Sequence, residues 1–138
     1  MIDLTSDFGK RAARRLAEDE IIWLTTTDNQ GTPQPRPVWF LWSGETILIF
    51  SRPQAHKVSH IKLHPRVALN LDSANSGEDI VVLLGTALID PSPISPAEME
   101  AYIEKYRQGL VSIKMTESEF KDSYRTTIRV TPTNLRGH

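Results

Sequence analysis

Three cations stand close together on segments that read as different structural elements: Arg36, Arg52 and Lys57. Arg36 lies in an apolar, strand-like run over residues 34–42. Arg52 follows a second such run ending in Phe50 and Ser51, and Lys57 opens a short helix-like stretch that Pro65 must stop. A helix start offers free N–H groups and positive potential, arginine gives paired hydrogen bonds to a phosphate, and lysine gives a point charge. With the hydroxyl of Ser51, these residue types suit a phosphate group. Arg and Lys are also the side chains most often simply exposed, so spacing alone leaves a shared anion site and unrelated surface charges both open.

His56, His60 and His64 recur every four residues on one helical face, a spacing at which imidazoles can share a zinc ion. No Asp, Glu or Cys nearby offers a further ligand, and the helix must end at His64, so no metal is expected. His56, next to Lys57, reads instead as a neighbour of the anion. Neither a Gly-x-Ser-x-Gly elbow nor a Gly-x-Gly-x-x-Gly fingerprint occurs. The chain has no cysteine, which excludes disulfides, thiolate metal sites and a thiol nucleophile.

The elements that must position these groups follow from pattern. Ser6 or Asp7 can cap a helix through Leu16, with Phe8, Ala12 and Leu16 on its packed side and the arginines expected on a solvated face. Residues 21–27, 34–42 and 46–51 read as strands joined by turns at 28–31 and 43–44, two hairpins in succession. Pro35 and Pro37 cannot donate to a ladder, which places the second strand at an edge or an open stretch. Along that strand Val38, Phe40 and Trp42 point one way, and Trp39 and Leu41 the other. Both faces are apolar, so each must meet a barrel interior, a helix, a ligand or a second subunit. Residues 56–63 form a helix. Residues 66–71 and 79–90 are strands flanking the polar loop 73–78. Ser95-Pro96 caps a helix running to about Gln108, Thr116 to Glu119 opens another, residues 126–131 form a last strand, and 135–138 are a tail. Roughly six strands with short helices among them indicate a small closed or split β-barrel, mainly β with an α+β composition.

A length of 138 residues suits a single domain over 1–138 with a real core. A net charge of -1 argues against a broad basic surface for nucleic acid. The start has no basic region followed by an apolar stretch. The greasiest segment, residues 80–89, falls short of the roughly 20 residues a membrane span needs. A cytoplasmic location is the expectation.

The order strand, Arg36, strand, Phe50-Ser51, Lys57, helix, His-Pro-Arg-Val-Ala-Leu-Asn resembles the flavin-binding split barrels of the pyridoxamine 5′-phosphate oxidase-like class, and within it the branch of deazaflavin (F420)-dependent enzymes. The resemblance implies a six-stranded antiparallel split barrel that builds its cofactor site across a homodimer interface. It also implies FMN or coenzyme F420 as cofactor, and hydride transfer to or from a small organic substrate. By the same resemblance Arg36, Ser51 and Lys57 hold the cofactor phosphate with His56 beside it. Pro37, Val38 and Trp39 run along the flavin ring, and Phe50 packs near it. For Val38, Trp39 and Phe50 plain core packing is the alternative reading, an equal one for Val38. No side chain stands out as an obligatory acid or base, and flavin chemistry needs none, because the cofactor carries the hydride. The class also includes binders without catalysis, so a flavin- or haem-binding protein is the alternative. Two departures bear on substrate. Leu41 stands where the oxidases proper carry a further lysine, and the chain ends Thr-Pro-Thr-Asn-Leu-Arg-Gly-His without their substrate-phosphate motif. The resemblance therefore implies the cofactor frame rather than a vitamin-phosphate site.

Overall fold

A computed structural model of the chain describes residues 2–73 and 77–138. The middle of the expected polar loop 73–78 thus lies outside the described residues. Helix α1 (Asp7–Glu18) is started by Ser6, whose hydroxyl accepts from the Gly9 N–H at 2.9 Å, a cap worth about 1 kcal/mol. Its buried side carries Ala12 and Leu16. The arginines are not all on a solvated face as expected. Arg11 pairs with Asp79 at 2.8 Å, while Arg15 donates to the carbonyls of Asp79 and Asp72 at 2.7 and 2.6 Å. They tie α1 to both ends of the loop between the strands that follow.

Among the described residues seven strands form one antiparallel sheet: β1 (Ile22–Thr27), β2 (Pro33–Val38), β3 (Leu41–Trp42), β4 (Ile47–Ser51), β5 (Arg66–Leu71), β6 (Val81–Asp90) and β7 (Thr126–Gly137). Their order is β2-β1-β5-β6-β7-β4-β3. Helix α2 (His56–Leu63) links β4 to β5, and α3 (Pro96–Lys105), α4 (Arg107–Ser112) and α5 (Glu117–Ser123) fill the stretch between β6 and β7.

The seventh strand arises because the expected second strand is broken. Residues 34–42 begin at one edge of the sheet as β2 and finish at the other as β3, so the two hairpins are not adjacent. At the break the Phe40 N–H donates to the Tyr106 hydroxyl at 2.8 Å, and the Phe40 carbonyl accepts from Lys105 Nζ at 2.8 Å. A side-chain clamp therefore satisfies a peptide that a continuous strand would have paired in a ladder. The prolines sit as the pattern requires, because β2 is an edge strand and Pro33, Pro35 and Pro37 alternate along it opposite Thr27, Thr25 and Trp23.

Other boundaries shift for similar reasons. The helix expected to reach Gln108 ends at Lys105 and resumes as α4 after Tyr106. The expected tail 135–138 continues β7, pairing with Val81 to Leu83, and His138 exchanges backbone bonds with Ile80. A register shift between Leu84 and Gly85 bends this long pair. A Cβ at Gly85 would lie 2.6 Å from the Thr131 carbonyl, so the close approach there needs glycine. The next strand starts at Val81 rather than Asp79, which takes a positive φ of 55°.

The core has two parts. Inside the curled sheet, Leu24, Leu69, Leu83, Ile49, Ile128 and Val130 pack with Ala12 and Leu16 of α1. On the opposite side of β4, Leu48 and Phe50 meet Tyr102, Ile103, Tyr106, Leu110 and Phe120 from the helices. Strand β4 is therefore buried on both faces, which explains its unbroken apolar sequence. The alternation read along residues 38–42 holds through the break: Val38, Phe40 and Trp42 join the first cluster, Trp39 and Leu41 the second.

Candidate functional site

Helix α2 begins without a side-chain cap at Ala55 and with no acidic residue in its first turn. Its uncapped start faces a cavity of about 480 Å³ lined by Ala55, His56, Lys57 and His60 together with Arg36, Pro37, Gln34 and Thr26 from the β1–β2 hairpin. Arg36 and Lys57 thus meet as expected. Among the described residues no carboxylate pairs with either of them. Burial, and then the Arg36 charge, hold the Lys57 ammonium below its ordinary value. Two like charges without a counter-ion form an arrangement that an anion would relieve.

A second cavity of about 410 Å³ opens beside the first and shares Pro37 and Lys57 with it. Its walls are Val38, Trp39, Phe50, Tyr102, Phe120 and Tyr124, with Ile21 and Ile113. Trp39 leaves the sheet at the break between β2 and β3. It stacks on Tyr106 with centroids 4.5 Å apart and planes 5° from parallel. Gly109 of α4 lies against the same indole, and a Cβ there would stand 2.9 Å from Cζ2. Phe50 meets Tyr102 edge-on at 4.7 Å. The two cavities form one groove, cationic at one end and flat and apolar at the other. Its dimensions lie in the usual range for cofactor-sized ligands.

Seven expected residues fall on this groove: Arg36 and His56 on the first cavity, Val38, Trp39 and Phe50 on the second, and Pro37 and Lys57 on both. Ser51 does not join them. It is 1% exposed and its hydroxyl donates to the Arg52 carbonyl at 3.0 Å. Arg52 also stays apart, its guanidinium 5.1 Å above the Tyr124 ring. Among the described residues no set of three His, Cys, Asp or Glu side chains could hold a metal ion, and His64 lines neither cavity.

Nothing in the sequence pattern marks Thr26, whose hydroxyl lies 2.8 Å from His60 Nδ1. Gln34 was also missed. Its amide donates to Asp28 at 3.0 Å, and the same carboxylate accepts from the N–H groups of Gln30 and Thr32, so one acid sets both the hairpin turn and the cavity rim. Tyr102, Phe120 and Tyr124 carry no mark in the sequence of lining this cavity, because what they face depends on β4.

The family model described as pyridoxamine 5′-phosphate oxidase matches residues 8–138. The chain belongs to that family. No curated protein matches the sequence. Solved structures share the fold of this family member at low identity. An F420 reductase is 23% identical, with 89% of this chain and 94% of that one covered and a TM-score of 0.65. The haem storage protein HutZ from Vibrio cholerae is 16% identical over 96% and 93% of the two chains, with a TM-score of 0.63. A FAD-binding protein from Mesorhizobium loti is 15% identical over 91% and 88%, with a TM-score of 0.68. No helix among the described residues is long and apolar enough to cross a membrane.

Proposed function

We propose that this protein is an oxidoreductase that holds FMN or the deazaflavin F420 in the groove and moves a hydride to or from a small organic substrate. The observation that carries this reading is the pair Arg36 and Lys57, which no carboxylate among the described residues engages, beside the start of α2 and continuous with an aromatic-walled cavity. The residues present fit a planar, phosphate-bearing cofactor. Arg36, Lys57 and the first N–H groups of α2 would take the phosphate. The backbone of Pro37 to Trp39 and the Phe50 edge of the aromatic cluster would border the ring. Such a cofactor supplies the hydride chemistry, while the chain binds it, orients it and keeps water from its apolar face. Ser51, expected to bind the phosphate, lines neither cavity, and its hydroxyl donates to the Arg52 carbonyl.

The protein is also read as a homodimer whose partner completes the site. Ile113 on the aromatic cavity is 51% exposed and Val111 nearby on α4 is 69% exposed, an apolar rim that a second subunit would cover. A second reading, a binder without catalysis, is favoured by the likeness to HutZ. Absorbance of the purified protein separates the readings, since flavin gives a yellow protein and haem a Soret band. A colourless protein is titrated with FMN and with F420. Failure of both to bind sinks the oxidoreductase reading, and sedimentation showing only monomer at micromolar concentration sinks the dimer.

A further inference from the structure

Arg36 and Lys57 do not account for the whole polar wall of the first cavity. His56 and His60 line it too, one turn apart on α2 with ring centroids 6.4 Å apart. His60 is held from behind: its Nδ1 lies 2.8 Å from the hydroxyl of Thr26, which is 2% exposed on β1. A buried strand hydroxyl therefore fixes the ring. With Nδ1 occupied, Nε2 is the nitrogen left to meet a ligand. A histidine needed only for packing would not require a tethered ring on the wall of a cationic cavity.

We propose that His60 is an anion-binding residue of this cavity, its imidazolium joining Arg36 and Lys57 around a phosphomonoester in the dianionic form. The inference rests on the phosphate reading of the groove and adds to it a residue, a charge state and a ligand class. A phosphomonoester reaches full double charge near neutral pH, since its second pKa is about 6. A phosphodiester carries one charge and has fewer free oxygens to meet three donors. Imidazole is the side chain whose charge responds over the same range.

The charged groups around His60 set the sign of the effect. From α2 it meets His56 and Lys57, and from β2 Arg36, all of which oppose a further positive charge. From the β1–β2 turn the Asp28 carboxylate acts the other way, close enough for the two charges to interact. A bound dianion adds two negative charges on the cavity side and favours the imidazolium. Binding therefore strengthens as pH falls through the imidazole range, provided the ligand stays dianionic.

Sulfate is the cleanest probe, because it is tetrahedral, permanently dianionic over this range and independent of any flavin ring. Its binding to the full chain is followed by NMR at pH 6 and pH 8, alongside FMN and riboflavin titrations. Sulfate should bind roughly tenfold more tightly at pH 6, the size expected of one charge-assisted contact. His60→Asn, which keeps a polar group near the Nδ1 position for Thr26, should abolish that dependence. His60→Gln serves if the first variant does not fold, and His64→Asn should leave the dependence intact. FMN should weaken in the His60 variants about as sulfate does at pH 6, while any riboflavin binding should not respond. Sulfate affinity equal at both pH values, or a pH dependence retained in His60→Asn and His60→Gln, overturns the proposal. If FMN binds the parent while His60 is silent, the cofactor reading stands and this inference fails. If sulfate behaves as expected but no flavin binds, the anion site stands and the flavin reading fails.

Discussion

Tyr106→Phe tests the clamp that carries the chain from β2 to β3. Phe40 is fully buried, and its N–H donates to the Tyr106 hydroxyl at 2.8 Å. That hydroxyl has one proton, and the shorter contact, 2.6 Å to the Glu20 carbonyl, is its natural acceptor. The Phe40 carbonyl, 2.9 Å from the hydroxyl, keeps Lys105 Nζ at 2.8 Å. Phenylalanine retains the stack on Trp39 but leaves the Phe40 N–H buried and unpaired. The Glu20 carbonyl, on an exposed residue, turns to water. The expected loss is therefore one orphaned donor, about 2 kcal/mol. For a chain of this length that lowers the melting temperature by roughly 5–10 °C. Urea unfolding followed by tryptophan fluorescence should show a lower midpoint with unchanged slope. A loss below about 0.5 kcal/mol would mean that the Phe40 N–H is satisfied elsewhere, and the explanation of the strand break would fail.

Three further outcomes follow. Gly109→Ala gains helix propensity but drives a Cβ to 2.9 Å from the Trp39 ring. Stability should then change by no more than about 1–2 kcal/mol, because the two effects oppose, while cofactor affinity and Trp39 emission shift measurably. Burial lowers the Lys105 amine to about 8. The unfolded chain thus binds more protons between about pH 8 and 10, and stability should rise with pH across that window. The rise should shrink in Lys105→Gln by denaturant titration at several pH values, with Lys57, whose charge burial also disfavours, supplying the remainder. Above pH 10 the sign reverses. Burial raises the Tyr102 and Tyr106 hydroxyls above their ordinary value, so the unfolded state loses those protons first and the parent should weaken as pH climbs further.

Local signals carried much of the fold. Pro65 sets the end of α2, Ser6 and Thr116 cap their helices, and the prolines of β2 mark an edge. The two-sided apolar pattern of residues 38–42 survived because a side chain's facing depends on its own backbone. The break within that pattern was not legible, since the hydroxyl and amine that satisfy Phe40 stand more than 60 residues along the chain. A long separation in sequence likewise hid the continuation of β7, whose partner is Val81 to Leu83. At the site, the cations of β2 and α2 could be paired because each opens or lines an element with a clear signature. For Arg52 and Ser51, only the turn leaving β4 decides that one stacks on Tyr124 and the other bonds backbone. Thr26 was invisible for the opposite reason: a threonine in a strand carries no mark until a histidine is placed beside it.

The most direct measurement concerns Lys57, which both cavities share. Lys57→Met removes a cation that the ligand-free protein holds at a cost, since burial and Arg36 disfavour its charge. The account predicts that the apoprotein melts at the parent temperature or slightly above it. FMN or F420, whichever the parent binds, should be held about tenfold to a hundredfold more weakly, the range of one charge-assisted contact. Unchanged cofactor affinity in Lys57→Met, with melting also unchanged, would place the phosphate elsewhere and contradict the central claim.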